Sequence, residues 1–187
     1  MFLNFLVIIK VVIFLNKTKE KYIGLVCQNE TFFQDIFNKI YLNMRNRKDD
    51  FFYRFISFSD TKKISYDYII HINNPLEFNI NFIRFYINYN NTIGIINIDK
   101  IELEPFKNIG NIISYGVNQQ ADFYVNNIYY NDKIFVCNIY HNEVNKELYC
   151  ALYNKEDIYY IISIIILLLN ERYNYEDIKE AIQKVGH

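Results

Sequence analysis

With 187 residues, 20 basic and 21 acidic, the chain carries a formal charge of -1; this allows one domain with a substantial core and is too short for a three-domain enzyme. The even balance supplies no global field toward nucleic acid or an anionic membrane, so nucleic acid is not an expected partner and any phosphate binding must be local. Cys27, Cys137 and Cys150 are scattered, as are His71, His141 and His187, which excludes a disulfide framework and a thiolate or histidine metal motif and fits a reducing, cytoplasmic setting.

The opening "MFLNFLVIIKVVIFLNKTKEK" has an apolar run interrupted by Asn4 and Lys10, with no small-residue cleavage site. It is shorter than the ~20 residues that span a bilayer. Residues 1–20 are read as a buried strand or helix, or alternatively as an interfacial anchor giving residues 1–21 a peripheral membrane contact backed by Lys17, Lys19 and Lys21. Eighteen Tyr, sixteen Phe and only five Gly indicate compositional drift toward A/T-rich codons, which weakens propensity as a guide, so apolar spacing carries the reading.

"YIGLVC" (22–27) is a short apolar run of the kind found in buried parallel strands. Phe33, Ile36, Phe37, Ile40 and Tyr41 then recur at helical spacing, after Asn29 and Thr31 as candidate caps. "RNRKDD" (45–50) reads as a charged loop, and "FFYRFISF" (51–58) and "YDYIIHI" (66–72) as strands. Leu76, Ile80, Ile83 and Ile87 predict a helix over 76–89; "TIGIINI" (92–98) and "NIISYG" (111–116) predict two more buried strands. Alternation of strand and helix favours a parallel sheet with crossovers.

Tyr115-Gly116 reads as a turn, Asp122 as an exposed strand start, and "ADFYVNNIYY", "KIFVCNIY" and "KELYCALY" as an antiparallel hairpin or meander with a Tyr-rich face. Such a face is either half-buried sheet or a contact surface. Residues 155–170 are apolar nearly all round, predicting a buried helix. A last amphipathic helix starts at Asn174, with Asp177 in a capping-box position and Gly186 as its stop. Its charged residues read as a solvated side, with Glu180 and Lys184 spaced for an ion pair.

Several of these pieces, in this order, resemble the central domain of the bacterial Mur ligases, most closely the UDP-N-acetylmuramoyl-tripeptide synthetase branch. "ISYGVNQQADFYVNNIYYNDKIFVCNIY" (113–140) is similar to that family's Tyr-Gly and Ala-Asp run into a hairpin. "GIINIDK" (94–100) resembles its strand ending in Asn-x-Asp-Asp, and "YNKEDIYYIISIIILLLNERYNYEDIKEAIQKV" (153–185) its last two helices. The resemblance covers residues 21–187 as one shortened domain. It implies a three-layer α/β fold of the P-loop type: a mostly parallel sheet with a C-terminal antiparallel hairpin and two helices.

The reaction so implied is ATP-dependent amide formation through an acyl phosphate, which needs preorganised positive charge: a glycine-rich nest of N–H groups, a lysine, and Mg2+ held by hydroxyl and carboxylate groups. Laid on the family's Gly-x-x-Gly-Thr-Asn-Gly-Lys-Thr-Thr, "GLVCQNETFF" puts Cys27 and Glu30 at glycines, Thr31 at the lysine, and Phe32 and Phe33 at the hydroxyls. Asn29 alone survives. "INNPLEFN" (72–79) puts Pro75 and Asn79 where histidines would stand and Glu77 at an aspartate. The carbamylated lysine and the metal-binding Glu of this branch also have no counterpart here.

Asn97 and Asp99 stand where the resemblance implies contacts to base and ribose, with Lys100 in place of a second Asp; equally, they are ordinary turn formers at a strand end. Asn29, Asn97 and Asp99 are thus the nucleotide-binding candidates, with no catalytic or metal residue expected. The resulting expectation is a non-catalytic protein with a degenerate P-loop and no bound cofactor, serving as a binding or regulatory partner of another protein in peptidoglycan synthesis. One alternative is a reduced ligase that uses ATP and Mg2+ once a second polypeptide completes the site; another is a membrane-associated structural module.

Overall fold

The computed structural model describes residues 19–45, 51–57, 65–74, 80–89, 91–106, 108–117, 121–131, 134–141, 144–151 and 154–185. The apolar opening before Lys19, Pro75 to Asn79 and Gly186 lie outside these residues, as do the readings made of them.

Among the described residues eight strands form one sheet: β1 (Lys19–Val26), β2 (Phe51–Ser57), β3 (Tyr68–His71), β4 (Ile93–Asn97), β5 (Ile112–Gly116), β6 (Phe123–Asn131), β7 (Ile134–His141) and β8 (Val144–Ala151). Their order is β2-β1-β3-β4-β5-β6-β7-β8. Every pairing from β2 across to β6 is parallel; β6 with β7 and β7 with β8 are antiparallel. The helices are α1 (Glu30–Asn43), α2 (Ile80–Tyr89), α3 (Asp157–Asn170) and α4 (Tyr175–Val185), with a 3-10 turn at Glu104–Phe106.

The alternation along the central strands builds two cores, one on each sheet face. Ile23, Leu25, Tyr68, Ile70, Ile95 and Tyr115 pack with Phe33, Phe37 and Ile40 of α1, the whole apolar length of α3, and Ile178, Ala181 and Ile182 of α4. Val26, Ile69 and Ile96 point the other way and pack with Ile83 and Ile87 of α2 and with Phe106. Three layers follow directly. α3 is buried from Asp157 to Leu168, which explains why its sequence has no polar face. Aromatic residues supply much of the first core: Phe37 meets Phe55 and Tyr53 edge-on at 4.8 and 5.1 Å, within the favoured range for such pairs.

Two readings need correction. Tyr115 and Gly116 are not a turn but the end of β5: Tyr115 is fully buried and its hydroxyl donates to the His71 carbonyl at 3.0 Å. Gly116 is set by close approach, since a Cβ there would lie 3.0 Å from Asp99 Oδ1. The helix starting after Asn29 takes its cap from Asn29 alone, with Thr31 inside its first turn. At α4, Asn174 Oδ1 accepts from Glu176 N at 2.8 Å, and Glu180 pairs with Arg45 of the distant α1 end at 3.1 Å.

At the amino-terminal end of the sheet lies a polar knot. Glu171, whose side chain is 7% exposed, pairs with Lys21 at 3.2 Å and accepts from the Tyr68 hydroxyl. Asn170 Nδ2 donates to that same hydroxyl at 2.7 Å.

Candidate functional site

β1 pairs with β2 on one side and β3 on the other, so the chain reverses its direction of travel across the sheet at β1. In an open parallel sheet this opens a crevice beyond the carboxyl ends of the strands, where ligands bind. Here it is a cleft of about 460 Å3. Gln28, Asn29 and Phe32 line it from the β1–α1 turn, Asn73 and Asn74 from the end of β3, and Lys100 from beyond β4. Asn154, Glu156, Asp157 and Tyr160 come from the start of α3.

A nest that cradles phosphate alternates right- and left-handed residues so that successive N–H groups converge. No residue from Cys27 to Phe33 has positive φ; among the described residues the left-handed ones are Asn91, Asn127 and Arg172. The turn is closed by its own contacts instead. Asn29 Oδ1 accepts from Phe32 N at 3.0 Å, its carbonyl accepts from Phe33 N at 3.2 Å, and Gln28 N donates to Asn73 Oδ1 at 2.7 Å. Phe33 is fully buried and meets Phe55 at 5.4 Å, while Phe32 sits edge-on to Tyr160 at 5.1 Å.

The charges are settled locally. Glu30 occupies the first turn of α1 and Asp157 that of α3, where each meets a helix dipole that would otherwise attract an anion. Burial first, and Glu30 second, push the Cys27 thiol up to about 12. Lys100 is the cation of the cleft lining; it pairs with Glu156 at 3.0 Å and lies 5.3 Å from the Tyr159 ring centre. The turn thus lacks the nest conformation, and the carboxylates at the two helix starts oppose phosphate there. Among the described residues no group of three His, Cys, Asp or Glu is placed to hold a metal ion.

Of the three residues singled out from sequence, Asn29 lines the cleft as a helix cap. Asn97 is fully buried; its amide donates to the Ile72 carbonyl at 2.8 Å and its carbonyl accepts from Asp99 N at 3.0 Å. Asp99 accepts from Val117 N and from the Tyr159 hydroxyl at 3.2 Å, tying β4 to β5 and α3. Asn97 and Asp99 are thus brought together, beside the cleft rather than in its wall.

The wall residues sequence reading passed over are Gln28, Asn73, Asn74, Asn154, Glu156, Asp157 and Tyr160. Asn74 clips the cleft floor: the His71 Nε2–H donates to its Oδ1 at 2.7 Å, and its Nδ2 donates to the Lys100 carbonyl at 3.3 Å. Burial holds the His71 imidazole down at about 4, the Asn74 bond opposing this only in part. The one sequence signal available for these residues was position, directly after a strand end or at the start of a helix, Tyr160 lying in the first turn of α3.

No protein-family model matches the chain, and no curated protein sequence does. Solved structures do. A UDP-N-acetylmuramoyl-L-alanyl-D-glutamate–2,6-diaminopimelate ligase superposes with a TM-score of 0.67 at 11% identity, over 89% of this chain and 46% of that one. MurC of Thermotoga maritima, a UDP-N-acetylmuramate-alanine ligase, gives 0.67 at 12% identity over 96% and 47%. A pseudomurein peptide ligase type C from Methanothermus fervidus gives 0.64 at 10% over 90% and 50%. The chain spans about half the length of these structures. It has the fold of the Mur ligases over that half.

Proposed function

We infer that this chain is a non-catalytic protein on a Mur ligase fold, acting by binding, as a partner or regulator of another protein in cell-envelope peptide synthesis. The observation that carries the reading is the β1–α1 turn: phosphoryl transfer needs fixed positive charge at the phosphates, and this turn has no left-handed residue, with Glu30 at its helix start. Isothermal titration with ATP and Mg2+ is expected to give no binding at millimolar concentration. Saturable binding with turnover of any carboxylate substrate would overturn the reading.

A second reading, a ligase completed by another polypeptide, is favoured by Lys100, which lines the cleft and would meet a nucleotide there once released from Glu156. It requires ATPase activity that appears only in the mixture of the two proteins and falls on Lys100→Ala. Peripheral membrane contact through residues 1–21 is proposed only as an accessory property. Among the described residues no helix is long and apolar enough to cross a membrane. Deleting residues 1–18 and fractionating the cells tests it, an unchanged distribution removing the idea.

A further inference from the structure

We propose that the cleft at the switch point takes an uncharged saccharide. This deepens the non-catalytic binding reading and rests on it. The lining contains five carboxamides, Gln28, Asn29, Asn73, Asn74 and Asn154, against two aromatic rings, Phe32 and Tyr160.

Internal bonds fix how several of these amides face. Asn29 Oδ1 is held by Phe32 N, Asn154 Oδ1 by Glu156 N at 2.9 Å, and Gln28 Nε2 by the Asn74 carbonyl at 3.2 Å. Each bond engages one end of the amide and leaves the other. Asn29 Nδ2, Asn154 Nδ2 and Gln28 Oε1 are accordingly two donors and one acceptor with no partner among the described residues. Their rotamers are set before any ligand arrives, which lowers the ordering cost of binding.

The chemistry of the set selects the ligand class. Hydroxyl groups both donate and accept, so mixed amide donors and acceptors satisfy them, whereas a polyphosphate offers acceptors only. Lys100 and Glu156 neutralise each other at 3.0 Å, and Asp157 accepts from Asn154 N at 3.0 Å, so no unopposed cation is offered to an anion. Phe32 and Tyr160, edge-on at 5.1 Å, give an apolar wall for the C–H face of a sugar ring. A volume of about 460 Å3 lies in the range of small-molecule sites, roughly 300–1,000 Å3.

The test uses the full chain, isotope-labelled, with cellobiose and di-N-acetylchitobiose as probes and ATP with Mg2+ as the comparison. Saturable shifts of the Asn29 and Asn154 side-chain NH2 resonances with either sugar are expected. Asn29→Asp and Asn154→Asp keep the capping oxygen and remove the donor, and each is expected to weaken binding about tenfold, the effect of one hydrogen bond of about 1.4 kcal/mol. Thermal melts identify which variants keep the fold, and two independent variants guard against loss of one. Absence of side-chain shifts at the solubility limit of both sugars, or affinity unchanged in the folded variants, overturns the proposal alone. ATP with Mg2+ shifting the same resonances, with turnover of a carboxylate substrate, overturns the non-catalytic reading beneath it.

Discussion

Replacing Asn29 by Ala removes the acceptor that holds Phe32 N at 3.0 Å and leaves one donor at the start of a 14-residue helix without its partner. Losing such a cap costs about 1 kcal/mol, within a range of roughly 0.5–2. For 187 residues the entropy of unfolding is roughly 0.4 kcal/mol/K, so Tm falls by about 2.5 °C. Asn29→Asp keeps the acceptor; its charge gains about 0.3–1 kcal/mol from the helix dipole, against repulsion from the adjacent Glu30. Its stability is therefore expected within about 0.5 kcal/mol of the parent. Urea melts followed by circular dichroism give both numbers. A turn designed to cradle phosphate would instead leave its amides to the ligand. An Asn29→Ala protein with an unchanged midpoint and a gain in ATP affinity would refute the claim that this turn is committed to the fold.

His71 is fully buried with its imidazole held at about 4 against an ordinary 6.5. The unfolded chain therefore binds the proton first, and stability present above pH ~6.5 is lost as pH falls toward 4, by about 3 kcal/mol in total; His71→Gln should flatten that part of the stability–pH curve. Lys21→Met leaves Glu171 nearly buried without its ion partner at 3.2 Å, at a cost of about 2–3 kcal/mol, below the value for a fully buried pair because Lys21 is partly exposed. Glu171→Gln should cost about 1 kcal/mol, with the double variant less than additive in urea melts. Gly116→Ala pushes a methyl to 3.0 Å from Asp99 Oδ1, and its urea midpoint should report about 1–3 kcal/mol of overpacking. Cys27, Cys137 and Cys150 are buried with thiols raised by burial, the first two to about 12; a chromogenic disulfide reagent should react slowly with the native protein and titrate all three in guanidinium.

The layers were legible because apolar runs state them directly. "YIGLVC", "TIGIINI" and the stripe from Phe33 to Ile40 fall on β1, β4 and α1, and the all-apolar 155–170 run on the helix buried in the same core as α1, α4 and the sheet. Where a polar residue serves the interior, the same rules misled. Asn97 at a strand end has the signature of an exposed turn former, yet it is fully buried because two backbone groups, Ile72 O and Asp99 N, need its amide. Tyr115-Gly116 has turn composition but continues β5, the glycine being required by the Asp99 carboxylate rather than by a bend. The cleft wall was illegible for a different reason. Gln28, Asn73 and Asn154 are distant in sequence and meet only through the strand order.

The separation of fold from site has a physical basis. Sheet order and layer packing depend on the apolar residues of β1, β3, β4 and their helices, all facing inward, whereas a phosphate nest depends on the backbone angles of about four residues beyond one strand. The sheet order does not depend on those angles, although Cys27 and Phe33 of this turn also belong to the first core. Once they have changed, recovery needs more than a cation. A lysine at Thr31 would place an ammonium group in the first turn, yet Asn29 would still cap Phe32 N and Gln28 N would still be bound to Asn73. Phe33 would still be locked in the aromatic cluster. Each of these contacts favours the present turn over a glycine-type loop, so the core itself now stabilises the altered site. That coupling holds the cleft amides in place before any ligand arrives, and donors fixed in advance are what the proposed neutral ligand requires.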